Sequence, residues 1–159
     1  MHDDQDDELP PATEAELDAR EATIEAWLDE QRRDNPVVGA VDRDPDGRRW
    51  FIRLLGEEKD FTTIWLTLGQ RTLQYETYVM PAPEENHAAL YEFLLRRNEK
   101  LYGLAFCIGT EDAVYLRGQL GVHAFGRGDL DRILGSMFVT VERFFRPAMR
   151  IGYASRFRA

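Results

Sequence analysis

Few residues of this 159-residue chain are of the types that carry out catalysis or bind a metal. The single cysteine, Cys107, lies in the apolar run 103–109, where we expect it to fill the core or its margin, because a nucleophilic thiolate needs a neighbouring base. The three histidines, at positions 2, 87 and 123, share no metal-ligand spacing with one another or with the cysteine. We therefore predict no catalytic residues, no cofactor and no metal.

Two loops match ligand-binding motifs only in part. Residues 42–47, Asp-Arg-Asp-Pro-Asp-Gly, resemble the opening of a calcium loop, but Arg53 occupies the position that must supply a bidentate glutamate. Residues 126–128, Gly-Arg-Gly, resemble a phosphate loop before a helix, but Asp131 replaces the third glycine and Asp129 would repel a phosphate. We predict a turn at the first site and the start of a helix at the second.

Charge is unevenly distributed along the chain. Residues 1–34 hold 13 acidic and 3 basic side chains, whereas residues 35–159 hold 16 and 17. An acidic front end repels nucleic acid and anionic membrane, so we expect neither as a partner. The first residues, Met1 to Asp4, are unlike a signal peptide, and no apolar run approaches the roughly 20 residues of a membrane helix. These features predict a cytoplasmic protein.

Residues 61–79 predict a β-hairpin whose two faces differ. If Gly69 is the first residue of a two-residue type II′ turn, Leu66 pairs with Leu73 and this face is aliphatic. The opposite face mixes aromatic, polar and charged side chains, which is typical of recognition surfaces. Its members are Phe61, Thr63, Trp65, Thr67, Thr72, Gln74, Glu76 and Tyr78.

Apolar periodicity elsewhere predicts the order α-β-β-β-α-β-β-α. A capping box from Thr13 to Glu16 opens the first helix, a second helix covers residues 84–101, and a third runs from Asp129 to Pro147. The short apolar run 37–41 is compatible with an additional strand. The expected fold class is α+β: a single two-layer domain whose mostly antiparallel sheet has helices packed on one face.

The same patterns divide the chain into three segments. We expect residues 1–11 to form a disordered acidic tail, residues 12–147 the domain and residues 148–159 an Arg-rich C-terminal extension. The arginines between residues 143 and 158 have the charge to pair with the acidic segment, in cis or in a dimer.

This organisation resembles the YbjN-like family. The resemblance covers about residues 14–146 and is carried by the stretches 63–68 (TIWLTL), 91–98 (YEFLLRRN) and 129–134 (DLDRIL). That family is similar in fold to the class I chaperones of type III secretion. The resemblance implies a non-enzymatic, dimeric protein that binds other polypeptides, or a regulator in sensing or signalling.

If the helices cover the Leu66 face, the opposite face is free to bind a protein or peptide partner. The candidate partner-binding residues are Phe51, Arg53, Trp65, Gln74, Glu76, Tyr78, Tyr115 and Arg117. We expect a homodimer, since symmetric two-fold dimers are the commonest oligomers. The alternative function is a small-ligand sensor or an enzyme with a pocket between sheet and helices.

Overall fold

Within residues 9–123 and 125–157, which a computed structural model describes, three α-helices pack on one face of a six-stranded antiparallel sheet. The helices are α1 (Glu14–Asp34), α2 (His87–Asn98) and α3 (Arg127–Gly152). The strands are β1 (Val38–Arg43), β2 (Arg49–Leu55), β3 (Phe61–Leu68), β4 (Thr72–Met80), β5 (Ala105–Ile108) and β6 (Val114–Gly121). Their spatial order is β1-β2-β3-β4-β6-β5. The predicted α+β class is confirmed, and the run 37–41 contributes the additional strand β1.

The core lies between the helices and one face of the sheet. In β3 the residues at even positions are buried and those at odd positions are not, as the predicted alternation requires. Helix α3 adds a buried stripe at the helical period: Leu130, Ile133, Leu134, Met137 and Val141. Two fully buried indoles complete the core. Each N–H group has an acceptor, as a buried indole requires: Trp27 Nε1 donates to Asp131 Oδ1 at 2.7 Å and Trp50 Nε1 donates to Glu25 Oε1 at 2.8 Å.

The β3–β4 turn differs from the type II′ prediction. Leu66 pairs with Tyr75, not with Leu73, and the Gly69 amide donates to the Thr72 carbonyl at 2.9 Å, which places Gln70 and Arg71 at the centre of the turn. Gly69 does not have the positive φ that a type II′ turn requires.

Tertiary hydrogen bonds fix this turn. The Gln70 carbonyl accepts from the Ala12 amide at 2.7 Å, and the Arg71 carbonyl accepts from the Val122 amide at 2.9 Å. Because the pairing shifts by two residues, each side chain remains on its predicted face.

Both ends of α2 and of α3 differ from the predicted ranges 84–101 and 129–147, and two of these differences have a visible cause. Helix α2 begins at His87, because Asn86 has a left-handed φ of 54° and the amides of Glu84 and Glu85 donate to the carbonyl of Gly152 instead of entering a helix. Helix α3 continues through Pro147 to Gly152. A proline costs the helix one hydrogen bond, and the burial of the last helical turn, through Ala148 and Gly152, offsets that loss.

The acidic residues of α1 form ion pairs with Arg43 of β1, with Arg48 of the β1–β2 loop and with Arg127 at the start of α3, and with none of the arginines of the described C-terminal segment 143–157. Arg48 Nη2 lies 2.7 Å from Asp18 Oδ1, Arg43 Nη1 lies 2.7 Å from Glu25 Oε1, and Arg127 contacts Glu30. Arg146 and Arg156 pair instead with Glu58 and Glu84, and Arg158 lies outside the described residues.

The first described residues, Leu9 to Ala12, lie against the β3–β4 turn. Arg71 Nε donates to the Leu9 carbonyl at 2.7 Å, and a His123 ring nitrogen lies 2.9 Å from the Pro10 carbonyl oxygen. Residues 1–8 of the predicted tail lie outside the described residues. The three segment boundaries remain a prediction.

Both partial motifs occupy the structures predicted for them. Residues 44–47 form the turn between β1 and β2, in which the Asp46 amide donates to Asp44 Oδ1 at 2.9 Å. Gly126 precedes α3, and its amide donates to Asp129 Oδ2 at 2.9 Å. Among residues 9–123 and 125–157, no group of three or more His, Cys, Asp or Glu side chains could hold a metal ion.

Candidate functional site

The sheet face opposite the helices, which we call the open face, carries all eight predicted partner-binding residues. One row crosses four strands: Phe51 of β2 pairs with Trp65 of β3, Trp65 with Glu76 of β4, and Glu76 with Arg117 of β6. Paired residues of antiparallel strands point to the same face. The remaining four predicted residues, Arg53, Gln74, Tyr78 and Tyr115, stand on this face in the neighbouring rows.

Arginine side chains lie over aromatic rings at the β2–β3 end of the open face. The rings of Phe51 and Trp65 are 5.0 Å apart, and the guanidinium of Arg49 lies 4.1 Å from the centre of the Trp65 ring. The Arg53 guanidinium lies 5.2 Å from the centre of the Phe61 ring. A guanidinium stacked on a ring keeps its in-plane N–H groups free to donate, so this end can contact both apolar and anionic groups.

A charged pair and two tyrosines occupy the β4–β6 part of the open face. Arg117 Nε donates to Glu76 Oε2 at 2.7 Å, and its guanidinium lies 4.4 Å from the centre of the Tyr115 ring. Partial burial alone would lower the pKa of Arg117, but its interactions with Glu76 and Cys107 together outweigh that effect and the pKa is raised. Tyr115 and Tyr78 meet edge to face at 5.7 Å. Partial burial raises the pKa of the Tyr78 phenol.

A shallow depression of about 440 Å³ opens beside this charged pair. Polar side chains dominate its lining, which consists of Thr67, Gln74, Tyr75, Glu76, Arg117, Gly118 and Gln119. Its polar side chains suit hydrogen bonding to an extended chain or to side chains of a partner.

The loop 56–60 supports one edge of the open face. The Glu142 carboxylate of α3 accepts the backbone amides of Glu57, Glu58 and Lys59 at 3.0, 2.9 and 3.3 Å. Lys59 Nζ then donates to the carbonyls of Phe61 and Tyr78 at 3.0 and 3.3 Å. Burial lowers the pKa of Lys59, and the nearby Glu142 carboxylate only partly counteracts it.

Sequence reasoning missed Arg49 and Lys59 as members of this site. Arg49 is an odd position of β2, like Phe51 and Arg53, so strand alternation was sufficient to place it on the open face. No local signal marks Lys59, because its position depends on the contact between its loop and α3. Cys107 lies opposite Tyr115 on the open face and is half-buried, so it does not fill the core.

Comparison with known proteins identifies the family. Residues 21–148 match the YbjN family, which is described as "Putative bacterial sensory transduction regulator". The chain belongs to the YbjN family.

Mycobacterial proteins are among the relatives of this YbjN-family chain. An uncharacterized protein of Mycobacterium tuberculosis is 34% identical over 105 residues, which are 66% of this chain and 57% of that protein. An uncharacterized protein of Mycobacterium leprae is 31% identical over 112 residues, which are 70% of this chain and 61% of that protein. The match therefore spans less than two thirds of the length of either relative. None of the helices described for this YbjN-family chain is long and apolar enough to cross a membrane.

Proposed function

We propose that this YbjN-family protein is a non-enzymatic regulatory or chaperone-like module that acts as a homodimer and binds a polypeptide through its open face. The observation that carries the proposal is the row Phe51, Trp65, Glu76 and Arg117, which presents two rings, a carboxylate and a guanidinium on one uncovered sheet. Tryptophan, tyrosine and arginine are the residues most enriched in interface hot spots. A rigid sheet holds these groups in position, which reduces the entropy lost on binding.

The charges of the open face favour a partner with acidic side chains next to apolar ones. Arg49 and Arg53 contact aromatic rings and have no ion pair with any residue in the described part of the chain. Their N–H groups are therefore available to a carboxylate, with which a guanidinium forms two parallel hydrogen bonds. The exposed rings of Phe61 and Tyr78 would contact apolar side chains of the same partner.

Affinity purification from the native cell, followed by mass spectrometry, tests the face. A true partner binds the wild-type protein and is lost with Trp65→Ala or with the double variant Arg49→Gln/Arg53→Gln. It is retained with Leu95→Ala, which removes a side chain that is 65% exposed on α2. A partner retained by all these variants would bind elsewhere and would refute the proposal for the open face.

Stability measurements separate a lost partner from a lost fold. We expect Trp65→Ala to leave the circular dichroism spectrum unchanged and to weaken binding of the purified partner by about 2 kcal/mol or more, as at a hot spot. Leu66 is 1% exposed on the opposite face, and Leu66→Ala should cost about 2–5 kcal/mol of unfolding free energy. If the two variants are equally destabilised, both faces are buried and the proposal fails.

The homodimer is tested by light scattering at micromolar concentration. A mass near twice 18.4 kDa supports it, and a mass near 18.4 kDa at every concentration rejects it. This result is independent of the partner experiment, since a monomer with the same open face would still bind a polypeptide.

A further inference from the structure

A second candidate site lies away from the open face, in a cleft of about 730 Å³ between α2 and α3. Three cationic residues line it, Arg97, Lys100 and Arg143, together with apolar groups that include Phe93 and Phe144. None of the residues lining the cleft is acidic. We propose that this cleft binds a small organic anion, a carboxylate or phosphate carried on an apolar or aromatic body.

In the described part of the chain, the two arginines of the cleft contact aromatic rings, and none of its three cations has an anionic partner. The guanidinium of Arg97 lies 4.5 Å from the centre of the Phe93 ring and 5.7 Å from that of Phe144, and the Arg143 guanidinium lies 5.2 Å from the Phe144 ring. The Nε atom of Arg97 is buried and finds no hydrogen-bond acceptor among the described residues. Within residues 9–123 and 125–157, no carboxylate forms an ion pair with Arg97, Lys100 or Arg143. A bound anion would pair with the charged groups of the three side chains that line the cleft.

The helix dipole explains only part of this arrangement. Arg97 lies in the last turn of α2 and Lys100 lies two residues beyond its end, where positive charge is favourable without any ligand. Arg143 is different, because it lies well inside α3, next to the Phe144 ring that Arg97 approaches from α2. The two guanidinium groups therefore line the cleft from both helices, where one anion can contact both.

The walls of the cleft define the rest of the ligand. Apart from the three cations, the lining consists of Phe93, Leu101, Val139, Thr140, Phe144 and Pro147. The volume falls within the range of small-molecule sites, which are mostly apolar with a few fixed polar groups. An inorganic anion alone would leave the apolar walls without contact, and a neutral apolar molecule would leave the guanidinium groups unsatisfied. An anion with an apolar body satisfies both.

Isothermal titration calorimetry with four probes tests the site and distinguishes the two anion chemistries. The probes are phenyl phosphate, benzoate, inorganic phosphate and the neutral benzyl alcohol, each titrated into the full chain at low salt. We expect at least one of phenyl phosphate and benzoate to bind at least tenfold more tightly than both inorganic phosphate and benzyl alcohol. Absence of binding by both aromatic anions, or equal binding of the neutral probe, would overturn the proposal.

Variants locate the binding. Arg97→Gln/Arg143→Gln should raise the dissociation constant of the bound probe at least tenfold. Arg150→Gln removes the same charge from an exposed position of α3 outside the cleft and should leave it unchanged. Circular dichroism and thermal melting without ligand establish that each variant is folded. Equal loss in Arg150→Gln, or no loss in the double variant, would show that the anion responds to general positive charge or binds elsewhere, and would refute the site.

Discussion

Thr62 and Thr77 are both fully buried on the helix-facing side of neighbouring strands, but only one of their hydroxyl groups has a partner. Thr77 Oγ1 donates to the Thr63 carbonyl at 2.7 Å, whereas Thr62 Oγ1 has no hydrogen bond within the described part of the protein. A buried hydroxyl without a partner loses its hydration and gains nothing in return.

The same substitution at these two positions should therefore have opposite effects. Thr62→Val replaces an unpartnered hydroxyl with a methyl group of similar size and should raise the unfolding free energy by about 1 kcal/mol. Thr77→Val removes the buried hydrogen bond to the Thr63 carbonyl, so it should lower the unfolding free energy by about 1–2 kcal/mol. Urea unfolding at neutral pH measures both values. A loss of stability in Thr62→Val would show that its hydroxyl has a partner after all.

The Glu142 carboxylate should be a main support of the loop beside the open face. Glu142→Ala leaves three loop amides without their charged acceptor, and we expect a loss of about 2–3 kcal/mol of unfolding free energy. The control is Glu58→Ala, which removes a carboxylate from the same loop that pairs with Arg146 on the surface. Exposed ion pairs contribute about 0–1 kcal/mol, so the control should change little. Equal losses of unfolding free energy would show that water replaces Glu142 as the acceptor of the three amides without loss of stability.

The open face was predictable from the sequence because strand alternation alone decides it. The observed turn is centred one residue later than predicted, which shifts the β3–β4 pairing by two residues. A shift of two keeps every side chain on its face, so Trp65 and the other odd positions of β3 point away from the helices in either register. The turn itself was not predictable. Its carbonyls are bonded to Ala12 and Val122, which are remote in sequence.

The cleft between α2 and α3 could not be predicted from the sequence for the same reason, because it depends on contacts between residues that are remote in sequence. Arg97 belongs to the basic last turn of a helix, a pattern that the helix dipole explains fully. Its approach to Phe144 depends on how α2 packs across α3, and no local pattern marks that contact. Likewise, proline signalled the end of α3 at Pro147, but the burial of Ala148 and Gly152 extends the helix by a further turn.

Gly118 of β6 should tolerate no side chain. A Cβ atom there would lie 2.0 Å from the carbonyl oxygen of Gly103 and 2.4 Å from Tyr75 Cε2, and it would disturb the 2.7 Å bond that the Tyr75 hydroxyl donates to that carbonyl. We expect Gly118→Ala to lower the unfolding free energy by about 3 kcal/mol. Gly135→Ala is the control, because nothing lies within 4 Å of its Cβ position in α3. It should raise stability by about 1 kcal/mol, as alanine does in a helix.

The pH dependence of stability should contain a contribution from Lys59. Its pKa in the folded protein is lowered by burial from the ordinary value of 10.5. Between those two pKa values the unfolded chain holds a proton that the folded protein has released, so this residue makes stability rise with pH. Tyr75, which is buried, and Tyr78, whose phenol is partly buried, act in the opposite direction, since their raised pKa values let the unfolded chain ionise first above about pH 10.

A comparison of the wild type with Lys59 variants isolates the contribution of Lys59 to the pH dependence, because all these proteins contain Tyr75 and Tyr78. Urea unfolding from pH 7 to pH 9.5 should give a wild-type stability that rises relative to Lys59→Met as the pH increases. Lys59→Arg keeps a positive charge that does not titrate in this range, so its curve should run parallel to that of Lys59→Met. A wild-type curve parallel to both would mean that Lys59 stays protonated throughout, and that its bonds to the Phe61 and Tyr78 carbonyls compensate fully for its burial.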